Sequence, residues 1–299
     1  MDFRPKTLEK PKTIPPFIPP ILWGLDAAFA EFLTYPLENI KVRMQMNQAK
    51  NYSTEYSSTI DCIKKTIKGH GILGFYRGVK VSTTREFFFH ATKFSTYDYV
   101  KRFFLADIEG SGYYRRLLSA LSASSISLFL CNVLDITKTR FIADLHTKTY
   151  KRSKDILFGL LRSGQAFKGY TANFFRQSFF MGAELFGQDQ LRIFLVKKKG
   201  FRKDSNFVLL TSGVVGSVLA SVVSCPFDVL RTRYMSQIGD DVDQLFRNAR
   251  RCFVYMVKNE GILSLYRGFI PFMLKNCLFS TSLFVLYEQT SNSIQDFKI

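Results

Sequence analysis

One phrase occurs three times along this chain: TYPLENIKVR at 34–43, CNVLDITKTR at 131–140 and SCPFDVLRTR at 224–233. Each copy places a base three residues after an acid and Arg two residues after that. The acids, Glu38, Asp135 and Asp228, lie 97 and then 93 residues apart. A second phrase keeps step with the first: GILGFYRG at 71–78, SGQAFKG at 163–169 and GILSLYRG at 261–268. A third follows as YDYVK at 97–101, QDQLR at 188–192 and YEQTS at 287–291. Three phrases in one order, three times, define a single unit that is built three times, each copy needing its neighbours to bury its apolar surface. The copies span 18–106, 113–199 and 204–292. Before them, residues 1–17 form a tail. The first 20 residues hold six of the nine prolines, which favours an extended, mobile segment.

Each unit reads as an apolar span, a short amphipathic segment and a second span. Ser205 to Phe227 carries no charge over 23 residues, and Leu117 to Leu134 none over 18. Runs of that length can cross hydrocarbon. The stretches Arg85–Lys101 and Arg176–Arg192 are apolar but interrupted by charge, and charges inside such spans face a bundle interior or a wet cavity. The segments at 58–68, 154–164 and 243–261 place apolar residues on one helical face, as helices lying along a membrane interface do. Small residues at four-residue spacing, Gly24/Ala28 and Gly216/Ala220, allow close helix approach. The expected fold is therefore an all-α membrane protein of six transmembrane helices and three short surface helices. The five cysteines show no metal spacing, His70, His90 and His146 form no constellation, and no catalytic triad or nucleotide loop is present. Neither an enzyme nor a cofactor is expected. The net charge of +18 is spread through the repeats rather than gathered into a patch, which argues against nucleic acid and for anionic lipid or solute partners.

These phrases resemble the signature of the mitochondrial carrier family, Pro-x-acid-x-x-base-x-base followed by acid-Gly-x4-aromatic-base-Gly. The resemblance runs from about residue 18 to 292. It implies a pseudo-threefold bundle crossing the mitochondrial inner membrane several times, with the surface helices on the matrix side and a central cavity that opens to either side in turn. Pro36 and Pro226 would kink the first helix of their repeats. The middle copy has Val133 instead, which can donate the bond that proline cannot, so a milder kink is expected there. By resemblance, Glu38/Lys41, Asp135/Lys138 and Asp228/Arg231 form a matrix gate of interhelical ion pairs. Pairing within each helix is the plainer alternative. Gln45 fits a bracing position beneath that gate, whereas Ile142 and Met235 occupy its counterparts. A cytoplasmic gate would use Asp98/Lys101, Asp189/Arg192 and Glu288, the last facing Ser291 where a base belongs. Tyr76–Arg77–Gly78, Phe167–Lys168–Gly169 and Tyr266–Arg267–Gly268 stand at helix starts and would hold phosphates of cardiolipin, or be plain turns.

Substrate contacts in this family lie about 13 residues before the acid of the second gate. Those positions are Arg85, Arg176 and Lys275, and the neighbours are Glu86, Gln177 and Asn276. Glu31 lies five residues before Pro36, where side chains face the cavity, and Lys93 and Glu184 are further candidates. Three bases at mid-membrane need acids or an anionic ligand beside them. Arg176 followed by Gln177 resembles the carboxylate and oxo-acid transporters. The expected activity is exchange of a di- or tricarboxylate or an oxo acid by alternating access. The alternative is a carrier-fold structural subunit of a larger inner-membrane complex, suggested by Val133, by Leu160 and Leu161 in place of the acid and Gly, by His70 in place of an acid, and by the lost braces. Internal pairing of the bases, for example Arg85 with Glu31 or Glu86, competes with an anionic substrate.

Overall fold

The computed structural model describes residues 18–46, 56–105, 113–143, 152–201, 205–236 and 249–296. The proline-rich tail over 1–17 lies outside them. Regular structure among the described residues is entirely helical: α1 (Ile18–Met46), α2 (Thr59–His70), α3 (Val79–Leu105), α4 (Tyr113–Ala143), α5 (Ser153–Arg162), α6 (Tyr170–Lys199), α7 (Asn206–Ser236), α8 (Ala249–Tyr255) and α9 (Phe269–Asp296), with short tight turns of helix before α3, α6 and α9. The order long, short, long is thus written three times. We call α1, α4 and α7 the lead helices and α3, α6 and α9 the return helices. They run 27 to 31 residues, or about 40–46 Å at 1.5 Å per residue. Three of these regions, Arg116–Ala143, Asn206–Ser236 and Ile262–Ser293, are long and apolar enough to cross a membrane by composition alone.

The long helices close on themselves. Each packs on the next in the order α1, α3, α4, α6, α7, α9, and α9 returns to α1. The three lead helices also touch one another in every pairing. Small residues allow the tight contacts. A Cβ on Gly24 would lie 2.9 Å from the Phe87 carbonyl oxygen, and one on Gly216 would lie 2.8 Å from that of Glu184. The polarity is inverted relative to a soluble protein. Leu25, Phe29, Leu33, Phe129 and Leu130 are more than half exposed, while Glu31, Asp135 and Asp228 are at most 2% exposed. Such a bundle presents apolar side chains to its surroundings and keeps its charges inside.

The surface helices dock beneath their own repeats. Cys62 of α2 and Phe75 pack on Ile40 of α1. Ile156 and Leu160 of α5 pack on Ile136 of α4 and on Met235. Cys252 of α8 and Met256 pack on Cys225 and Val229 of α7. Leu160 is therefore a core residue, whereas Leu161, which lies eight residues before Gly169 as Glu260 lies before Gly268, is exposed. Of the apolar pattern over 243–261, the described part begins at Ala249. Helix α8 ends at Tyr255 and widens into a π turn, Met256–Glu260, while residues 243–248 lie outside the described residues.

Two outcomes follow from this packing. Burial pushes the thiols of Cys62 and Cys252 up to about 11 and about 12, so thiolate is scarce at neutral pH. Both cysteines should resist maleimide at pH 7.5 in the folded protein and react once it unfolds, as read by mass spectrometry of labelled peptides. Gly216→Val should force α6 and α7 apart and cost about 1–3 kcal/mol, seen as a lower midpoint of thermal unfolding in detergent.

Candidate functional site

Where the lead helices meet, six charges of the repeated phrase form a closed ring. Lys41 of α1 reaches Asp228 of α7 at 3.3 Å. Arg231 of α7 reaches Asp135 of α4 at 2.7 Å. Lys138 of α4 reaches Glu38 of α1 at 3.0 Å. Each lead helix donates a base to one neighbour and an acid to the other. The within-helix alternative holds at one point only, Lys41 with Glu38 at 3.0 Å. Pro36 and Pro226 sit inside α1 and α7, while α4 runs through Val133 without a proline. The missing proline does not remove Asp135 or Lys138 from the ring. Thr137 and Thr139 donate to the carbonyls of Val133 and Asp135, four residues back, a bonding pattern that bends helices slightly.

Gln45 ties α1 to α7 beneath the ring. Its amide donates to Asp228 at 2.7 Å, its side-chain oxygen accepts from Thr232 at 2.7 Å, and its carbonyl accepts from Arg233 at 2.9 Å. The two counterpart positions are apolar core. Ile142 packs with Tyr35, Val42 and Met46, and Met235 packs with Ile136, Ile156 and Leu160. The last Arg of each phrase reaches toward the surface segments, each to a different acceptor: Arg43 to Thr66, Arg140 to Gln165 and Arg233 to Glu260.

The three bases on the return helices do not stand bare. Arg85 lies 2.7 Å from Glu86 and 3.0 Å from Asp135. Lys275 of α9 lies 3.1 Å from Glu31 of α1. Of the two internal partners considered for Arg85, Glu86 is the one engaged. Glu31 holds Lys275 and, at 3.0 Å, Lys138, and accepts from Ser82 of α3. Arg176 donates to Gln177 at 2.7 Å and lies 3.8 Å from Asp228. Asn276 donates to Ser221 at 3.0 Å. Lys93 and Glu184 sit further along within electrostatic reach of each other, with Ser217 donating to Glu184 at 3.5 Å. These groups and the ring form one connected network, since Asp135, Asp228 and Lys138 belong to both. Asn173, which donates to Asp135 at 2.8 Å, was not singled out by sequence. Its one signal is that it precedes Arg176 by a single helical turn.

At the opposite end of the bundle polar contacts join two of the return helices, α6 and α9, to lead helices. Asp189 of α6 is held by Arg116 of α4 at 2.7 Å, and Glu288 of α9 accepts from Asn206 of α7 at 2.9 Å. Arg116 was not anticipated from the repeated phrases. The side chains of Asp98 and Lys101 lie outside the described residues. The aromatic-base-Gly turns sit between repeats. Gly78, Gly169 and Gly268 all have positive φ, and a Cβ there would meet Tyr35 Oη at 2.7 Å, Met235 Cε at 2.9 Å and the Lys41 carbonyl at 3.2 Å. Tyr35 donates to the Arg77 carbonyl at 2.6 Å. The Arg77 guanidinium lies over Phe141 of α4, and Lys168 lies over Tyr234 of α7. Phe167 stacks on Phe129, Tyr266 lies edge-on to Phe269, and Arg267 pairs with Glu260 at 3.2 Å. Among the described residues no group of His, Cys, Asp and Glu could hold a metal ion.

A closed bundle of three helix pairs tied by a ring of this kind is the architecture of a membrane solute carrier. The family model described as mitochondrial carrier protein matches residues 13–107 and 202–298, and the chain belongs to that family. The matched segments leave out the middle repeat, which carries Val133, Leu160 and Leu161. The chain is 27% identical to mitochondrial uncoupling protein 2 of Arabidopsis thaliana over 88% of its own length and 89% of that protein. It is 24% identical to the protein of Danio rerio named dicarboxylate carrier UCP2, over 91% of this chain and 90% of the relative.

The ring should be costly to break one-sidedly. Asp228→Asn removes the acid that faces Lys41, Arg176 and Gln45 and leaves buried positive charge uncompensated. A loss of about 3–5 kcal/mol is expected, read as a large drop in thermal unfolding midpoint of the purified protein. The isosteric Gln45→Glu should also destabilise, because it sets a second carboxylate against Asp228.

Proposed function

We propose that this protein exchanges a small carboxylate anion across the mitochondrial inner membrane by alternating access, with all six long helices spanning the bilayer. The observation that carries the reading is the interhelical ring of Lys41–Asp228, Arg231–Asp135 and Lys138–Glu38, with a polar centre of return-helix bases above it. The ring acts as the matrix gate, and Gln45 is its brace. Charges in a dry ring attract strongly, and wetting it as the helices part replaces that attraction by hydration. Such a ring therefore has two states of similar free energy, as a gate requires. Asp189 and Glu288 belong to the cytoplasmic gate together with Asp98, Lys101 and Arg192. In this structure Asp189 bonds to Arg116 of α4 and Glu288 to Asn206 of α7.

Substrate is held by Arg176 and Gln177, with Arg85, Lys275 and Glu31 shaping the centre. An Arg guanidinium takes a carboxylate bidentately once it leaves weaker partners, here Gln177 at 2.7 Å, Asn173 at 3.5 Å and Asp228 at 3.8 Å. The relative from Danio rerio named a dicarboxylate carrier supports the carboxylate class. Cardiolipin is the lipid partner at the three aromatic-base-Gly turns, where free backbone N–H groups of helix starts and a neighbouring base favour phosphate.

Counter-exchange in liposomes tests the reading. Protein reconstituted with internal carboxylate should take up labelled external carboxylate, and Arg176→Gln should reduce the initial rate about tenfold or more, the loss expected for one charge-assisted contact. If no carboxylate moves while a control carrier works in the same vesicles, the transport reading fails and a structural role in a larger membrane complex takes its place.

A further inference from the structure

We infer that the central site selects anions with a single net negative charge, and that Glu86 helps set this limit. This rests on the transport reading above and narrows its substrate class. The inference comes from charge, not from shape. The ring is neutral by itself: Glu38, Asp135 and Asp228 balance Lys41, Lys138 and Arg231. Above it, within the span between the ring and Glu184, the described residues hold four bases, Arg85, Lys93, Arg176 and Lys275. They hold three acids, Glu31, Glu86 and Glu184. His90 is buried against Phe89, Phe94 and Phe279, 3.7 Å from Glu86, and is counted as neutral, as in the formal charge at pH 7. One positive charge remains.

That surplus falls on Arg176. Lys275 has Glu31 at 3.1 Å, Arg85 has Glu86 at 2.7 Å, and Lys93 lies within electrostatic reach of Glu184 and Glu86. The acid nearest Arg176 is Asp228 at 3.8 Å, which already serves Lys41 at 3.3 Å and Gln45 at 2.7 Å. A monoanion on Arg176 makes the site neutral. A dianion leaves one negative charge uncompensated and a trianion leaves two, and uncompensated charge in a dry interior is costly. Three convergent bases, taken alone, suggest a polyanion. The acids beside two of them reverse that expectation. Glu86→Gln removes one of the two acids on Arg85, leaving Asp135 at 3.0 Å, raises the surplus to two and shifts the preference toward dianions.

Pyruvate, malonate and citrate at pH 7.5 serve as probes of one, two and three charges. Two readouts are taken on the full-length protein: counter-exchange in liposomes, and the shift in thermal unfolding midpoint in detergent. Both should favour pyruvate over malonate by about tenfold or more in half-saturating concentration, the scale set by one uncompensated buried charge. Citrate should be weakest. Glu86→Gln should narrow or invert the pyruvate–malonate ratio. Equal or better use of malonate by the native protein overturns the inference and leaves the transport reading standing, whether or not the variant folds. Stabilisation that follows the pyruvate order without any exchange supports the charge limit and overturns transport. Absence of both binding and exchange overturns both.

Discussion

Six charges buried where three helices meet must all find partners, and the rest of this structure is arranged around that requirement. The lead helices α1, α4 and α7 are joined in a cycle because each carries an acid and a base three residues apart, and neighbours exchange them. Leaving any one charge unpaired there costs several kcal/mol. The helices are held at a fixed register by this constraint more than by apolar packing, which faces outward along much of their length. The surface helices then cover the cycle from beneath, and the final Arg of each phrase bonds into the surface segments.

The period of the sequence made the helix order and the ring legible. An acid and a base in register on three copies point to one site once the copies are placed side by side. The middle copy read two ways. Val133 suggested a repeat that had drifted from its role, yet Asp135 and Lys138 hold their places in the ring as fully as their counterparts. Loss of a proline alters the bend of a helix but not the direction of side chains three turns of sequence pattern have already fixed. The lost braces have a physical reading as well. Ile142 and Met235 fill apolar pockets that a glutamine would have to enter with its amide unsatisfied, so the polar brace is confined to Gln45.

The central bases were harder to read. Sequence placed Arg85, Arg176 and Lys275 at one level, but their partners lie on other helices or on an adjacent residue, and distance decides which pairs form. Glu31 is the clearest case. It faces Lys275 from across the bundle and Lys138 from the ring, so it links the two layers of charge. Asn173 and Arg116 escaped notice because neither belongs to a repeated phrase. What emerges is a centre that is almost neutral, in which one arginine is less fully compensated than its neighbours. On the proposed reading, an anion bound there would compete with Asp228 for Arg176. Substrate and ring would then draw on the same side chain.

The claim that matters most is that the ring parts while the protein works. Pulsed electron paramagnetic resonance between spin labels at positions 44 and 234, near the ends of α1 and α7, measures it in a cysteine-free background reconstituted in liposomes. The account predicts one short distance in the resting protein and a second, longer population when a transported anion is present on both sides. A single distance that no anion alters, in protein that still exchanges substrate, would contradict it.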